Sequence, residues 1–171
     1  IRAWTIANSV GYRLTVARKP LRFGLKADLA SGDRDPDDHR LGSFNALYPN
    51  PSYFSEAAYI APTNLIDLQP NLQLDLSPSL RLTASWNLLW KEQHADVVCP
   101  TPVPLTPCAD GAGSGRRIGQ QMQLLAGWDA AKHLRIDASY VHFQASRALR
   151  ERAQAHLDFF QLVLSLDYGS P

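Results

Sequence analysis

The 171-residue sequence contains no apolar run of about 18 residues, so a membrane-spanning helix is excluded. It has no excess of one charge either, because 17 Lys and Arg balance 16 Asp and Glu to a formal net charge of +1. With 45% hydrophobic and 19% charged residues, the composition is ordinary for one folded domain and excludes a disordered chain. The 12 Pro and 10 Gly argue against a helical bundle.

Motifs of common enzymes are missing as well. The sequence has no Gly-x-Ser-x-Gly, no His-Glu-x-x-His and no phosphate-binding loop. Its 5 His are scattered without the spacing of metal ligands, and we recognise no nucleic-acid-binding motif. We therefore predict that the protein is not an enzyme and binds no nucleic acid.

The sequence does have regular alternation of apolar and polar residues. Between residues 21 and 29 every odd position is apolar and every even position is polar or small, the period of a strand with two different faces. Recurrence of this pattern predicts about seven strands, most reaching the roughly 9–11 residues that span a bilayer when tilted. The apolar positions of the other six are Trp4, Ile6, Val10, Tyr12, Leu14 and Val16; Ile66, Leu68, Leu72, Leu74 and Leu76; Leu80, Leu82, Ala84, Trp86, Leu88 and Trp90; Ile118, Met122, Leu124, Ala126 and Trp128; Leu134, Ile136, Ala138 and Tyr140; Phe160, Leu162, Leu164, Leu166 and Tyr168.

The connections between these strands alternate in length. Residues 17–20, 77–79 and 129–133 are expected to form tight turns, and residues 30–62, 95–115 and 145–157 to form long loops. Short turns at one end and long loops at the other are typical of transmembrane β-barrels. Many of the Trp and Tyr residues fall near strand ends, as they do at membrane interfaces. The predicted fold is therefore an all-β, antiparallel, up-and-down transmembrane β-barrel.

A soluble β-barrel or β-sandwich that binds a small ligand is the alternative, because it has the same period of two. Exposure of the faces of Trp86, Trp90 and Trp128 separates the two interpretations, since a soluble fold would bury them in a closed core. An odd strand count and the start at Ile1 without a signal peptide lead us to expect that residues 1–171 are the C-terminal part of a larger barrel.

Several segments resemble a known family. They are the segment from Leu29 through Ser31-Gly32-Asp33-Arg34-Asp35-Pro36-Asp37-Asp38, the segments Leu41-Gly42-Ser43-Phe44-Asn45, Leu47-Tyr48-Pro49 and Tyr53-Phe54, and the segment Asn64-Leu65-Ile66-Asp67-Leu68-Gln69-Pro70. More weakly, Ser139-Tyr140-Val141-His142-Phe143 and Asp158-Phe159-Phe160 are similar too. Together they resemble the alginate export family of outer-membrane proteins. The resemblance implies an outer-membrane barrel in contact with lipid, and passage of an anionic polysaccharide or of small anionic solutes. Periplasmic export components are expected partners.

The polar face of each strand is expected to line the lumen. By alternation its basic residues are Arg13, Arg22, Lys26, Arg81, Lys91, Arg117 and Arg135, and its acids are Asp28, Asp67, Asp75, Asp129, Asp137 and Asp167. The two sets nearly cancel, so charge balance alone does not predict an anion channel. Arg13, Arg22, Arg81 and Arg135 lie near the tight turns and would form a cationic collar at the periplasmic mouth, an arrangement that admits anions. The other interpretation is that they pair with acids on neighbouring strands and only stabilise the wall.

The first long loop carries Asp33, Asp35, Asp37 and Asp38, whose spacing suits Ca²⁺. An EF-hand is excluded, because Asp38 and Phe44 stand where Gly and a carboxylate are needed. We favour a solvated turn whose acids pair with Arg34 and Arg40, so no cofactor is expected.

The second long loop carries Cys99 and Cys108. Two cysteines in one loop of a cell-envelope protein predict a disulfide that staples the loop. Redox catalysis would need a Cys-x-x-Cys spacing. Zinc would need two more ligands, and only His94 is near.

Overall fold

In the part of the chain that the structure describes, seven strands form one antiparallel sheet in which each strand pairs with the next along the chain. The computed structural model describes residues 1–35, 37–48, 50–97, 115–147 and 156–168. The strands are β1 (Thr5–Val16), β2 (Lys19–Ala30), β3 (Leu65–Ser77), β4 (Leu80–Trp90), β5 (Arg117–Ala131), β6 (Leu134–Ala145) and β7 (His156–Leu166), with a short 3-10 helix at Pro51–Tyr53. The predicted all-β, up-and-down architecture is confirmed. The sheet is open, with β1 and β7 at its edges.

The connections lie at the predicted ends of the sheet. Antiparallel pairing of consecutive strands places the short β1–β2, β3–β4 and β5–β6 turns at one end, the turn end, and the long connections at the other, the loop end. In the first turn Ala17 and Arg18 have φ of 49° and 63°. Two left-handed residues are what a tight type I′ hairpin requires, although neither is Gly.

The strand register aligns the apolar residues across the sheet. One row runs over all seven strands as Tyr12, Phe23, Leu72, Ala84, Leu124, Tyr140 and Phe160. The face that carries this row is called the outer face. The opposite, inner face carries the row Arg13, Arg22, Gln73, Thr83, Leu125, Ser139 and Gln161. The period of two in the sequence thus becomes two chemically distinct surfaces.

The two faces differ in what covers them. Outer-face side chains are open, with Tyr12 71%, Leu124 57% and Phe160 68% exposed. The buried apolar cluster lies instead on the inner face at the loop end, and its members are Ala30, Phe54, Ile60, Leu65, Leu89, Ile118, Phe143 and Ala145. Two of them, Phe54 and Ile60, come from the β2–β3 loop, residues 31–64. This loop therefore folds over the inner face.

Two long connections are tied together at the loop end. Asn64 is fully buried, donates to the carbonyl oxygens of Gln93 and Val97, and accepts from the Gln93 amide. Asp96 accepts from the Asp33 amide and from the Ser43 hydroxyl at 2.8 and 2.6 Å. These bonds fix the start and end of the β2–β3 loop.

Among the described residues, no helix is long and apolar enough to cross a membrane.

Candidate functional site

The inner face at the turn end carries charged pairs. Arg81 on β4 bonds Asp75 on β3 at 2.7 Å, and Arg135 on β6 bonds Asp137 at 2.8 Å and Asp129 on β5 at 3.1 Å. The pairing that we considered as the alternative to a free collar is therefore present for these two arginines. All the partners are partly exposed to solvent, so these pairs contribute little to stability.

Arg22 is held differently. Its Nη1 donates to the amide oxygen of Asn71 at 3.2 Å, a neutral partner. Its guanidinium also lies against Gly11 and Gly24 on the inner face, where a side chain would collide with it. Among the described residues, neither Arg22 nor Arg13 makes an ion pair, and their strands pair them directly opposite each other. This corner of the sheet keeps uncompensated positive charge.

The β2–β3 loop crosses the inner face at mid-height. Tyr53 meets β2, where its hydroxyl donates to Asp28 at 3.0 Å and its ring lies 3.8 Å from the Lys26 ammonium. Further along, the Glu56 amide donates to the Gln123 side chain on β5 at 2.9 Å. Tyr59 reaches β6, with its ring 6.3 Å from that of Phe143. The loop thus spans the sheet from β2 to β6.

Three residues predicted to line an open lumen are covered in this structure. Asp28, Asp67 and Lys91 lie on the inner side but are only 6%, 1% and 1% exposed. The physical reason is the folding of the loop-end segments over them, which alternation does not reveal. Asp67 accepts from the Asn87 amide nitrogen at 3.2 Å, and the Lys91 ammonium donates to the His94 carbonyl oxygen at 2.8 Å.

Burial changes the titration of two loop-end groups. Desolvation lowers the pKa of Lys91, and the nearby Asp96 carboxylate partly offsets this. Burial, followed by the hydrogen bond to Asp28, raises the pKa of Tyr53 from 10.0 to about 12. Tyr53 is therefore a neutral hydrogen-bond donor at physiological pH.

Arg117 does not lie on the inner face, contrary to expectation. A bulge between Leu89 and Trp90 of β4 and the start of β5 shifts the register by one residue, so that Arg117 pairs with the outer-face Trp90. Its guanidinium contacts Gln120 on the same face. Ile118, expected on the apolar outer face, turns inward and is 2% exposed in the apolar cluster. An extra residue in one strand reverses the faces beyond it.

The remaining predicted lumen residues are placed by the register as expected. Arg13, Arg22, Lys26, Arg81, Arg135 and Asp137 all lie on the inner face. Arg81, Arg135 and Asp137 line a cleft of 330 Å³ on that face, which Glu56 of the loop also borders. Their role in a pore stays a prediction.

The acidic loop uses its carboxylates to build turns. Asp33 accepts from the amides of Asp35 and Gly42, Asp35 from that of Asp37, and Asp38 from that of Arg40. Within the described ranges, no group of three or more His, Cys, Asp or Glu side chains is arranged to hold a metal ion. Cys99 and Cys108 lie outside the described residues, so their disulfide stays a prediction.

Tyr53 and Glu56 were not singled out as functional residues from the sequence. Their positions depend on contacts with residues 25 and 67 positions away along the chain, which no local pattern encodes. The one local signal is the adjacent aromatic pair Tyr53-Phe54 within a loop of mostly small and polar residues. Aromatic residues in a loop indicate that the segment packs against something.

Exposure of the tryptophans bears on the choice between a membrane and a soluble fold. Trp86 and Trp128 are 40% and 47% exposed on the outer face, and Trp90 is partly exposed. They do not lie in a closed core, which counts against a soluble barrel or sandwich. An exposed apolar surface of this extent indicates contact with lipid or with another apolar layer.

Comparison with known proteins places the sequence in a family. A family model described as Alginate export matches residues 1–162. The match includes the whole of β1 to β6, the β2–β3 loop and more than half of β7. A search of curated proteins found no match.

Proposed function

Because the chain belongs to the alginate export family, we propose that it forms part of the wall of an outer-membrane channel for an anionic polysaccharide of the alginate type or for small anionic solutes. Transport through such a wall is passive diffusion along a wet, polar surface. No covalent step is involved. The inner face is the transport surface, and the outer face contacts lipid.

The observation that carries this proposal is the chemical difference between the two faces. Adjacent residues in the middle of β5 point to opposite environments, with Leu124 exposed on the outer face and Gln123 buried on the inner face beneath the β2–β3 loop. Barrel strands in outer membranes alternate in this way between lipid and lumen. A loop that folds over the polar face narrows the passage at mid-height.

The turn end is the periplasmic end in this proposal, because outer-membrane barrels have short turns there and long loops outside. Its arginines would draw uronate carboxylates into the channel. Arg22 and Arg13 act most directly, since no acid compensates them in the described residues. Contacts must be weak and numerous, because tight binding would stop transit. A cleft of 520 Å³ at this end, lined in part by Arg18, Lys19, Arg81 and Arg135, is where we place contact with periplasmic export components.

Ion selectivity of the full-length barrel in a planar bilayer tests the proposal. Under a salt gradient, the reversal potential of the wild-type barrel should show preference for anions. Joint replacement Arg22→Gln, Arg81→Gln and Arg135→Gln should lower that preference while the barrel stays folded, because solvent-exposed charges contribute little to stability.

The single variants Arg22→Gln and Arg117→Gln form a matched pair, because each removes one positive charge. Arg22 lies on the inner face and Arg117 on the outer face. Only the first should shift the reversal potential toward cations. Equal shifts, or an unchanged potential in the triple variant, would contradict the assignment of the inner face as the transport surface.

A further inference from the structure

The part of the inner face beneath the β2–β3 loop is polar. A surface that only packed against the loop would be apolar. Asn87 pairs with Gln121 across β4 and β5, and Gln69 stands at the same level on β3, next to the Leu68–Leu88 pair. Asn87 and Gln121 are 0% exposed and Gln69 is 6% exposed. We call Gln69, Asn87 and Gln121 the amide strip. Their side chains are as deeply buried as those of the apolar cluster beside them.

Much of the hydrogen-bonding capacity of this wall is unused. Among the described residues, both polar atoms of the Gln121 side chain, Oε1 of Gln69 and Oδ1 of Asn87 are buried without a hydrogen-bond partner. The hydroxyls of Ser85 and Ser139, on the inner faces of β4 and β6, are also buried without a hydrogen-bond partner. Burying unpaired polar atoms is unfavourable. The unpaired polar atoms of the wall therefore destabilise the state in which the loop covers them.

Contacts on either side of the strip keep the loop in place. Tyr53 is bonded to Asp28 and packed against Lys26 on β2, and the Glu56 amide is bonded to Gln123 on β5. Phe54 and Ile60 are buried in the apolar cluster. The loop is thus attached by a few separate contacts. Among the described residues, no hydrogen bond joins the loop to the side chains of the amide strip.

We propose that the amide strip binds the hydroxyl groups of a polysaccharide chain once residues 53–61 leave the wall. A primary amide offers two donors and an acceptor, and a sugar hydroxyl offers both functions in return. The strip thus complements the arginines, which act on carboxylates at the turn end. This inference rests on the proposed transport of a polysaccharide, but it concerns the uncharged part of the sugar.

The first test uses a neutral glucose hexamer as the probe, because it lacks the carboxylates that the arginines attract. Added to the full-length wild-type barrel in a planar bilayer, the hexamer should cause transient current blocks. Joint replacement Gln69→Leu, Asn87→Leu and Gln121→Leu should shorten the blocks about tenfold, the effect of losing one or two net hydrogen bonds. The reversal potential should not change.

Two further variants make the result specific. Gln161→Leu removes an exposed inner-face amide on β7 that the loop does not cover, and block times should match wild type. Gln121→Met keeps the side-chain volume if the triple variant does not fold, and should shorten the blocks by a smaller factor. Block times that are unchanged in the strip variants, or equally shortened by Gln161→Leu, would overturn the proposal.

The second test holds the loop against the wall. With Cys99 and Cys108 replaced by Ser, Glu56→Cys and Gln123→Cys would be joined by a short reducible cross-linker, since the Glu56 amide and the Gln123 side chain are 2.9 Å apart. Hexamer blocks should disappear in the joined form and return after reduction. Blocks that persist in the joined form would place the sugar elsewhere and overturn the proposal.

The two proposals fail separately. A barrel that shows no anion preference but is blocked by the hexamer at the strip would contradict anion transport and support the strip. An anion-selective barrel whose block times do not change in the strip variants would support anion transport and contradict binding at the strip. If no conductance is observed, calorimetry can measure the affinity of the detergent-solubilised barrel for the hexamer, and the same variants can be compared.

Discussion

At the residue scale, the inner-face arginines differ in whether a nearby acid compensates their charge. Arg81 is bonded to Asp75 at 2.7 Å, so the field of the pair is close to that of a dipole. Arg22 is bonded to the neutral Asn71, so its full charge stays uncompensated on the inner face. A count of basic and acidic residues therefore does not describe the electrostatics of the inner face, because the field depends on which charges are paired.

Asp75→Asn should raise the preference for anions. The substitution removes the carboxylate and leaves the Arg81 guanidinium uncompensated on the inner face, with little change in side-chain volume. The reversal potential in a salt gradient should shift in the anion direction, opposite to the shift expected for Arg22→Gln. Stability should change by no more than about 1 kcal/mol, as for other exposed pairs. A shift toward cations would contradict the pairing described for Arg81.

Gly119 is a second residue whose role follows from its surroundings. A Cβ at this position would collide with the backbone oxygen of Gln144 on β6 and lie 3.2 Å from the Ala145 Cα. Because backbone atoms yield less readily than side chains, Gly119→Ala should lower the free energy of unfolding by about 1–3 kcal/mol.

Gly115→Ala is the matched control for Gly119→Ala. A Cβ at Gly115 would meet nothing within 4 Å, so stability should stay within about 0.5 kcal/mol of wild type. Urea titrations of the full-length barrel in lipid vesicles would measure both variants. Equal stability of the two would show that β5 and β6 are less closely apposed than described.

At the element scale, the β2–β3 loop is the segment that folds over the inner face of the sheet. Most of its attachment to the wall comes from a few side chains, among which Tyr53 contacts both Lys26 and Asp28. Tyr53→Phe keeps the ring and loses the hydroxyl. The loop should then detach more often, with the attached state weakened by about 1 kcal/mol, and single-channel records should show a larger fraction of time at high conductance.

The same hydroxyl makes attachment of the loop sensitive to high pH. The pKa of Tyr53 is raised from 10.0 to about 12 by burial and by the bond to Asp28, so its neutral form stabilises the attached loop. This contribution is complete below pH 10 and is lost as the pH rises through about 12. Wild type should open more between these values, and Tyr53→Phe should lack that component. Identical pH profiles for the two proteins would contradict the described contact.

The elements also show what the sequence can and cannot predict. Alternation predicted all seven strands and their shared faces, because a period of two is a local property of each segment. Ile118 and Arg117 were assigned to the wrong faces, since a single bulge reverses the alternation beyond it. The inward path of the β2–β3 loop was not predicted, because it depends on contacts such as Glu56 with Gln123, 67 residues apart.

At the scale of the whole molecule, the described residues form one sheet with an open apolar face and a polar face. The family resemblance found in residues such as Asp33 and Tyr53 is confirmed by the match over residues 1–162. The open apolar outer face, the charged turn end and the loop over the inner face all follow from the register of the seven strands. None of these features depends on a single residue.

Two adjacent leucines on β5 test the assignment of faces through stability. Leu124 is 57% exposed on the outer face, and Leu125 lies on the inner face beside Arg81 and Arg135 in the 330 Å³ cleft. Leu124→Arg would place a charge in lipid and should cost about 2–4 kcal/mol near the middle of the bilayer. Leu125→Arg should be better tolerated and should raise the anion preference. Urea unfolding in vesicles would compare them, and equal losses would contradict the assignment.

The most direct test of the two-faced wall is residue-by-residue accessibility along the middle of β5. Single cysteines at positions 121 to 128, in a full-length barrel with Cys99 and Cys108 replaced by Ser, would carry spin labels in lipid vesicles. We expect the even positions 122, 124, 126 and 128 to be relaxed by oxygen dissolved in the lipid. The odd positions should be relaxed instead by a water-soluble nickel complex, most strongly at 125 and 127. Alternation in the opposite phase, or no alternation at all, would contradict the assignment of a lipid-facing outer face and a water-facing inner face.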